Sequence, residues 1–188
     1  GLTATLSVED PSSDISLPAG ATARQPLPDI VGAMRIERDW GHMQAAIVGR
    51  RIGYRLGADD FSGTGYGLTL SGLGKVGGDF LVASFTYGDG IARYFNDIGG
   101  RGYDAVVGPD GKVHTLAAYG GFIGYTRHWN ERWRSSLVGS MVVVERDRLL
   151  PDTAFRESLY GAANLIVQVS PSFSAGFETL YGRHELQN

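Results

Sequence analysis

The 188 residues contain no cysteine. That excludes disulfide staples, thiolate metal sites and cysteine nucleophiles. No stretch approaches the roughly 18 consecutive apolar residues of a transmembrane helix. This leaves the membrane open as a destination, because a barrel strand needs only about 9–11 residues of alternating character. No Lys/Arg run is present and the formal net charge is −3, so nucleic acid is not an expected partner. The glycine-rich run Gly63-Thr64-Gly65-Tyr66-Gly67 opens a strand pattern, whereas a phosphate loop must open a helix. No G-x-S-x-G elbow occurs. His42, His114, His128 and His184 lack paired metal spacing. Asp59, Asp60, Asp104 and Asp110 could hold calcium in outer loops, although Pro109-Asp110-Gly111 fits a plain turn better. No catalytic residue, cofactor or metal is therefore expected, and the chain is not expected to be an enzyme.

What is abundant is glycine, 28 residues, about twice average usage. The glycines are spread along the chain, among apolar segments that alternate with a period of two rather than 3.6. The pattern predicts nine strands over 1–8, 28–39, 42–52, 64–73, 79–88, 113–128, 132–145, 157–169 and 173–183. Short connections at 40–41, 74–78, 130–131 and 170–172 alternate with long ones at 9–27, 53–63, 89–112 and 146–156. A transmembrane β-barrel sorts its connections this way, with short turns inside and long loops outside. Trp40, Trp129 and Trp133 all lie at short turns, where an aromatic girdle would meet the membrane–water interface.

Alternation assigns the faces. Leu2, Ala4, Leu6 and Val8 share one face of the first strand, and Ile30, Met34 and Ile36 one face of the second. Arg35 and Glu37 then point to a lumen, since a basic residue facing lipid at mid-depth costs roughly 2–4 kcal/mol. With Trp40-Gly41 as a two-residue loop, Glu37 is expected opposite Gln44, and Arg50 shares their face. Arg134, Asn164, Gln168 and Glu178 are assigned to the lumen by the same parity, with Asn164 opposite Glu178. The strand around Tyr119 to Arg127 is aromatic or glycine on both faces, so its parity is left open.

Several segments resemble the DcaP-like porins of Gram-negative bacteria. They are Pro28-Asp29-Ile30-Val31 through Asp39-Trp40-Gly41, then Tyr87-Gly88-Asp89-Gly90-Ile91-Ala92-Arg93-Tyr94, then Asn164-Leu165-Ile166, and finally Gly176-Phe177-Glu178 to Tyr181-Gly182-Arg183. The resemblance implies a homotrimeric outer-membrane channel of about sixteen strands for small anionic solutes such as dicarboxylates. Members of that family carry an N-terminal periplasmic coiled coil and a last strand ending in an aromatic residue. Neither is found here, so residues 1–188 are expected to be one porin β-barrel domain truncated at both ends.

The long loop 89–112 holds Arg93, Asp97 and Arg101 among glycines and aromatics. Loops this long in a compact domain are usually functional or disordered. It is expected to fold into the lumen as a constriction, where Arg93 and Arg101 attract anions together with Arg35, Arg50 and Arg134 on the wall. The competing expectation is that these arginines pair with neighbouring carboxylates. Two other functions fit the alternation: an outer-membrane barrel with an adhesin or enzymatic role, and a soluble β-barrel or sandwich binding protein.

Overall fold

A computed structural model describes all residues 1–188. One antiparallel sheet runs through the chain in sequence order. Its long strands are β1 (Leu2–Glu9), β4 (Asp29–Arg38), β5 (Gly41–Leu56), β6 (Asp59–Val76), β7 (Asp79–Asp89), β10 (Ala117–His128), β11 (Trp133–Val144), β12 (Phe155–Ser170) and β13 (Phe173–Leu186). The short β3 (Ala21–Ala23) adds to β5. A small second sheet joins β2 (Ile15–Ser16), β8 (Ala105–Val107) and β9 (Val113–Thr115). The nine long strands match the expected number, and β1 and β13 leave both edges of the sheet unpaired. The fold class is all-β, an open part of an antiparallel barrel wall.

The two faces follow from the register. Leu2–Ile36, Met34–Ala45, Ile47–Leu68, Leu70–Phe85, Ala83–Ile123, Tyr125–Leu137, Met141–Leu159 and Leu165–Phe177 are paired across successive strands, so these residues share one face. That face is apolar and uncovered: Leu6 is 77% exposed, Leu70 51% and Phe177 74%. The other face carries Arg35–Gln44, Gln44–Ser71, Ser71–Ser84, Thr69–Thr86, Thr126–Ser136, Ser136–Asn164 and Asn164–Glu178. The parity left open in the sequence is fixed here: Ala118, Gly120, Phe122 and Gly124 lie on the polar face, and Tyr119, Ile123 and Tyr125 on the apolar one.

Three expectations need correction. The segment 53–63 is no long loop. β5 and β6 continue to Leu56 and Asp59, and only Gly57-Ala58 turns. The charges that suggested a loop are a cross-strand pair, Arg55 Nε to Asp60 Oδ1 at 2.8 Å, beside the stacked rings of Tyr54 and Phe61. The strand expected over 113–128 breaks at Leu116, with its first part in the small sheet. Finally, the first hairpin turns at Asp39-Trp40, so Glu37 faces His42 and Arg35 faces Gln44. The shift is two residues, an even number, so every face assignment survives it. Gly41 is the cause. Its φ of +136° suits a turn, yet a side chain there would strike the Leu73 carbonyl, so glycine holds the first ladder position.

All three tryptophans lie at the short-turn end. Trp40 is in the turn, and Trp129 and Trp133 flank the β10–β11 connection. Trp129 donates its indole N–H to Ser135 Oγ at 3.0 Å, while Arg127 stacks over its ring.

Candidate functional site: an inward-folded segment

The long connection after β7 folds back over the polar face of the sheet. It begins with one 3-10 turn, Ala92–Tyr94, and its apolar side chains enter the main core. Ile91, Phe95 and Ile98 cluster with Ala118, Val142 and Val144, all three of which point from the polar face. Glycines make the seat. A Cβ on Gly67 would lie 3.0 Å from Ile91, and one on Gly120 would lie 3.0 Å from Phe95. The wall is bare where the segment presses on it, so dispersion contacts form at backbone distance.

A buried polar network pins the segment. Arg50, on β5, and Asp29, at the start of β4, have fully buried side chains and meet at 3.0 Å. Arg50 Nη1 reaches Asp104 Oδ2 at 2.8 Å and donates to the Gly90 carbonyl at 2.5 Å. Its Nη2 donates to the Ser12 carbonyl at 2.7 Å. One guanidinium thus ties the wall, the first long loop and both ends of the inward segment. Buried carboxylates need such compensation. Asp29 also accepts from Tyr94 Oη at 2.8 Å and from Gln25 Nε2 at 2.5 Å. Asp104 accepts from the amides of Arg93 at 3.0 Å and Asp14 at 3.1 Å. Burial pushes the Asp104 carboxyl above the usual carboxylate range, against the pull of Arg50. Burial and the bond to Asp29 push the Tyr94 phenol up, so it stays a donor.

The first long loop is locked to the segment by Asp14. Its carboxylate accepts the N–H groups of Gly100, Arg101 and Gly102 at 2.8, 3.2 and 2.6 Å. Gly100 and Gly102 sit at φ +80° and +81°, which lets the three amides converge on one anion.

The expected site residues divide accordingly. Arg35, Glu37, Gln44, Arg134, Asn164, Gln168 and Glu178 all lie on the polar face. Arg35 and Glu37 form an exposed pair at 3.5 Å, and Asn164 Nδ2 donates to Glu178 at 3.4 Å across their predicted pairing. Arg50 is corrected: its side chain is fully buried and doubly paired, so it presents no charge to an open lumen. Arg93 lies 3.5 Å from Asp29 and donates to the Ser12 and Asp10 carbonyls, so pairing with a carboxylate describes it better than attraction of anions. Asp97 and Arg101 are exposed on the segment, and Arg101 and Arg134 form no ion pair.

The candidate calcium aspartates are not gathered. Asp60 pairs with Arg24 and Arg55, Asp104 with Arg50, and Asp110 with Lys112. Sequence reasoning missed Asp29, Tyr94 and Asp14, whose partners lie between 65 and 88 residues away for the last two.

No family model matches the chain, and no curated protein matches it. Among solved structures, the outer membrane channel DcaP of Acinetobacter baumannii is similar, with a TM-score of 0.83 at 19% identity over 99% of this chain. The alignment spans 54% of the DcaP chain. The sheet described above therefore has the fold of about half of an outer-membrane channel.

Proposed function

We propose that this chain is part of an outer-membrane porin, a passive, non-enzymatic channel for small hydrophilic solutes. The observation that carries this reading is the division of labour between the two faces. One face of the sheet is uncovered and apolar, and the other holds a segment pinned by a buried charge network. A soluble binding protein would bury the apolar face, because exposed patches of this size mark an interaction with membrane or protein. A membrane barrel turns that face to lipid and keeps the polar face around water. The open edges at β1 and β13 need partner strands, since lipid leaves no unpaired ladder. A larger barrel of about sixteen strands supplies them, and a homotrimer is the assembly proposed for it.

Anionic solutes, dicarboxylates among them, are the proposed cargo. Support comes from Arg101 on the inward segment and Arg134 on the wall, cations with no carboxylate partner. Charged groups at a constriction set selectivity by their local field. The test is single-channel recording of the full-length protein in a planar bilayer under a salt gradient. Stepwise conductance with an anion-favouring reversal potential is expected, and Arg101→Ala should weaken that preference more than Arg93→Ala. A protein that stays soluble without detergent and never conducts would refute the channel.

A further inference from the structure

The inward segment covers only part of the polar face. Ile91 and Phe95 lie against Gly67, Gly88 and Gly120, on β6, β7 and β10. Beyond them a cleft of about 510 Å³ is lined by Asp97 and by residues of β11, β12 and β13. Its wall carries Ser140, Ser158, Tyr160 and His184, and the register puts all four on the polar face, Ser140 opposite Tyr160 and Ser158 opposite His184. Asp97 Oδ2 accepts from Ser158 Oγ at 3.3 Å and has no cationic partner. Arg183, which its pairing with Leu159 puts on the opposite face of β13, is committed to Glu157 at 3.0 Å and Glu185 at 3.2 Å. The cleft thus presents one carboxylate without an ion-pair partner, among hydroxyls and the His184 imidazole.

We propose that this cleft is a solute subsite, and that Asp97 is a specificity-determining residue favouring solutes that present a hydroxyl or ammonium donor. The proposal rests on the channel reading above and narrows its cargo. An ionised carboxylate only accepts hydrogen bonds, and bonds to it are stronger than those between neutral groups. A solute that offers carboxylates alone meets like charge at Asp97. One that adds a hydroxyl or an ammonium group can donate to Asp97 while Ser140 and Tyr160 serve its remaining oxygens. Among acidic solutes, hydroxy- and amino-dicarboxylates should therefore pass more readily than unsubstituted ones of the same length.

The experiment compares succinate, malate and aspartate as permeant anions in bi-ionic recordings of the full-length protein. At an exposed carboxylate, the net worth of one ordinary hydrogen bond justifies an expected permeability advantage of about two- to tenfold for malate and aspartate over succinate. In Asp97→Ala that ratio should fall to about one, with succinate permeation rising. Asp97 is exposed, and chloride conductance of the variant reports that its pore is intact. Equal permeation of the three anions in the native protein, or a ratio that survives Asp97→Ala, would overturn the subsite and leave the channel reading standing. Absence of any conductance in the native protein would overturn both.

Discussion

Replacing Arg50 by methionine should release the segment 91–107 from the wall while leaving the nine-strand ladder in place. Arg50 is the only cation paired with both Asp29 and Asp104, at 3.0 and 2.8 Å, and all three side chains are buried; Arg93 lies further from Asp29, at 3.5 Å. Methionine fills a similar volume without charge, so two carboxylates remain in a dry site. Breaking a buried pair in this way costs roughly 3–5 kcal/mol, because the stranded charge keeps its desolvation penalty. The cheapest relief is local. Asp104 can carry the segment out to water, whereas the sheet is held by most of the chain's 117 backbone hydrogen bonds. Limited proteolysis of the folded barrel should show new cleavage within 92–112, with strands β4 to β7 protected, and single-channel conductance should rise. Adding Asp29→Asn and Asp104→Asn should restore much of the protection, since no fully buried charge is then left unpaired and Arg93, which loses Asp29, is partly exposed. If the single variant is as resistant to protease as the native protein, the network does not hold the segment.

The second large effect is expected at Gly88. A Cβ there would press into the Tyr66 carbonyl, lie 2.6 Å from Gly67 Cα and come within 2.9 Å of Ile91 Cδ1. The first two atoms are backbone and cannot swing aside. Gly88→Val should therefore cost about 1–3 kcal/mol by overpacking and lift Ile91 from its seat. Gly161 is the control, since a Cβ there meets nothing closer than the Val138 carbonyl at 3.9 Å. The temperature at which the folded electrophoretic form is lost should shift downward for Gly88→Val and stay within a few degrees for Gly161→Val. Equal shifts would mean that the glycine seat has no special role.

How much of this was legible beforehand depends on the range of the interaction. The period-two alternation is local, so strand number and face assignment could be read directly. The pairing of Asn164 with Glu178 came out as expected because a short turn leaves little freedom. The first hairpin shows where local reading stops. Placing the turn at Trp40-Gly41 sets Asp29 opposite Ile52. The observed turn pairs Ile30 with Gly49, and one step further brings Asp29 to Arg50. A two-residue slip is invisible to face parity, yet it hid the ion pair at the centre of the site. Asp104 and Asp14 were illegible for a different reason. Their partners are far away in sequence, and loop residues carry no periodicity from which a contact could be inferred. The expectation for the wall arginine Arg50 was wrong: the loop lies on the polar face, and Arg50 holds it there instead of facing a solute.

The central claim is that the apolar face meets lipid and the polar face meets water, and neighbouring residues on one strand test it. Leu70 and Ser71 are adjacent on β6, Leu70 pairing with Ala45 and Phe85, Ser71 with Gln44 and Ser84. The chain has no native cysteine, so Leu70→Cys and Ser71→Cys can each be made as the single thiol of these 188 residues. The full-length variants, otherwise free of cysteine, would be reconstituted in vesicles and treated with a charged, membrane-impermeant thiol reagent. Ser71→Cys should react, with a fall in ion current, and Leu70→Cys should stay unmodified until detergent is added. Rapid modification of Leu70→Cys together with protection of Ser71→Cys would reverse the faces and contradict the account.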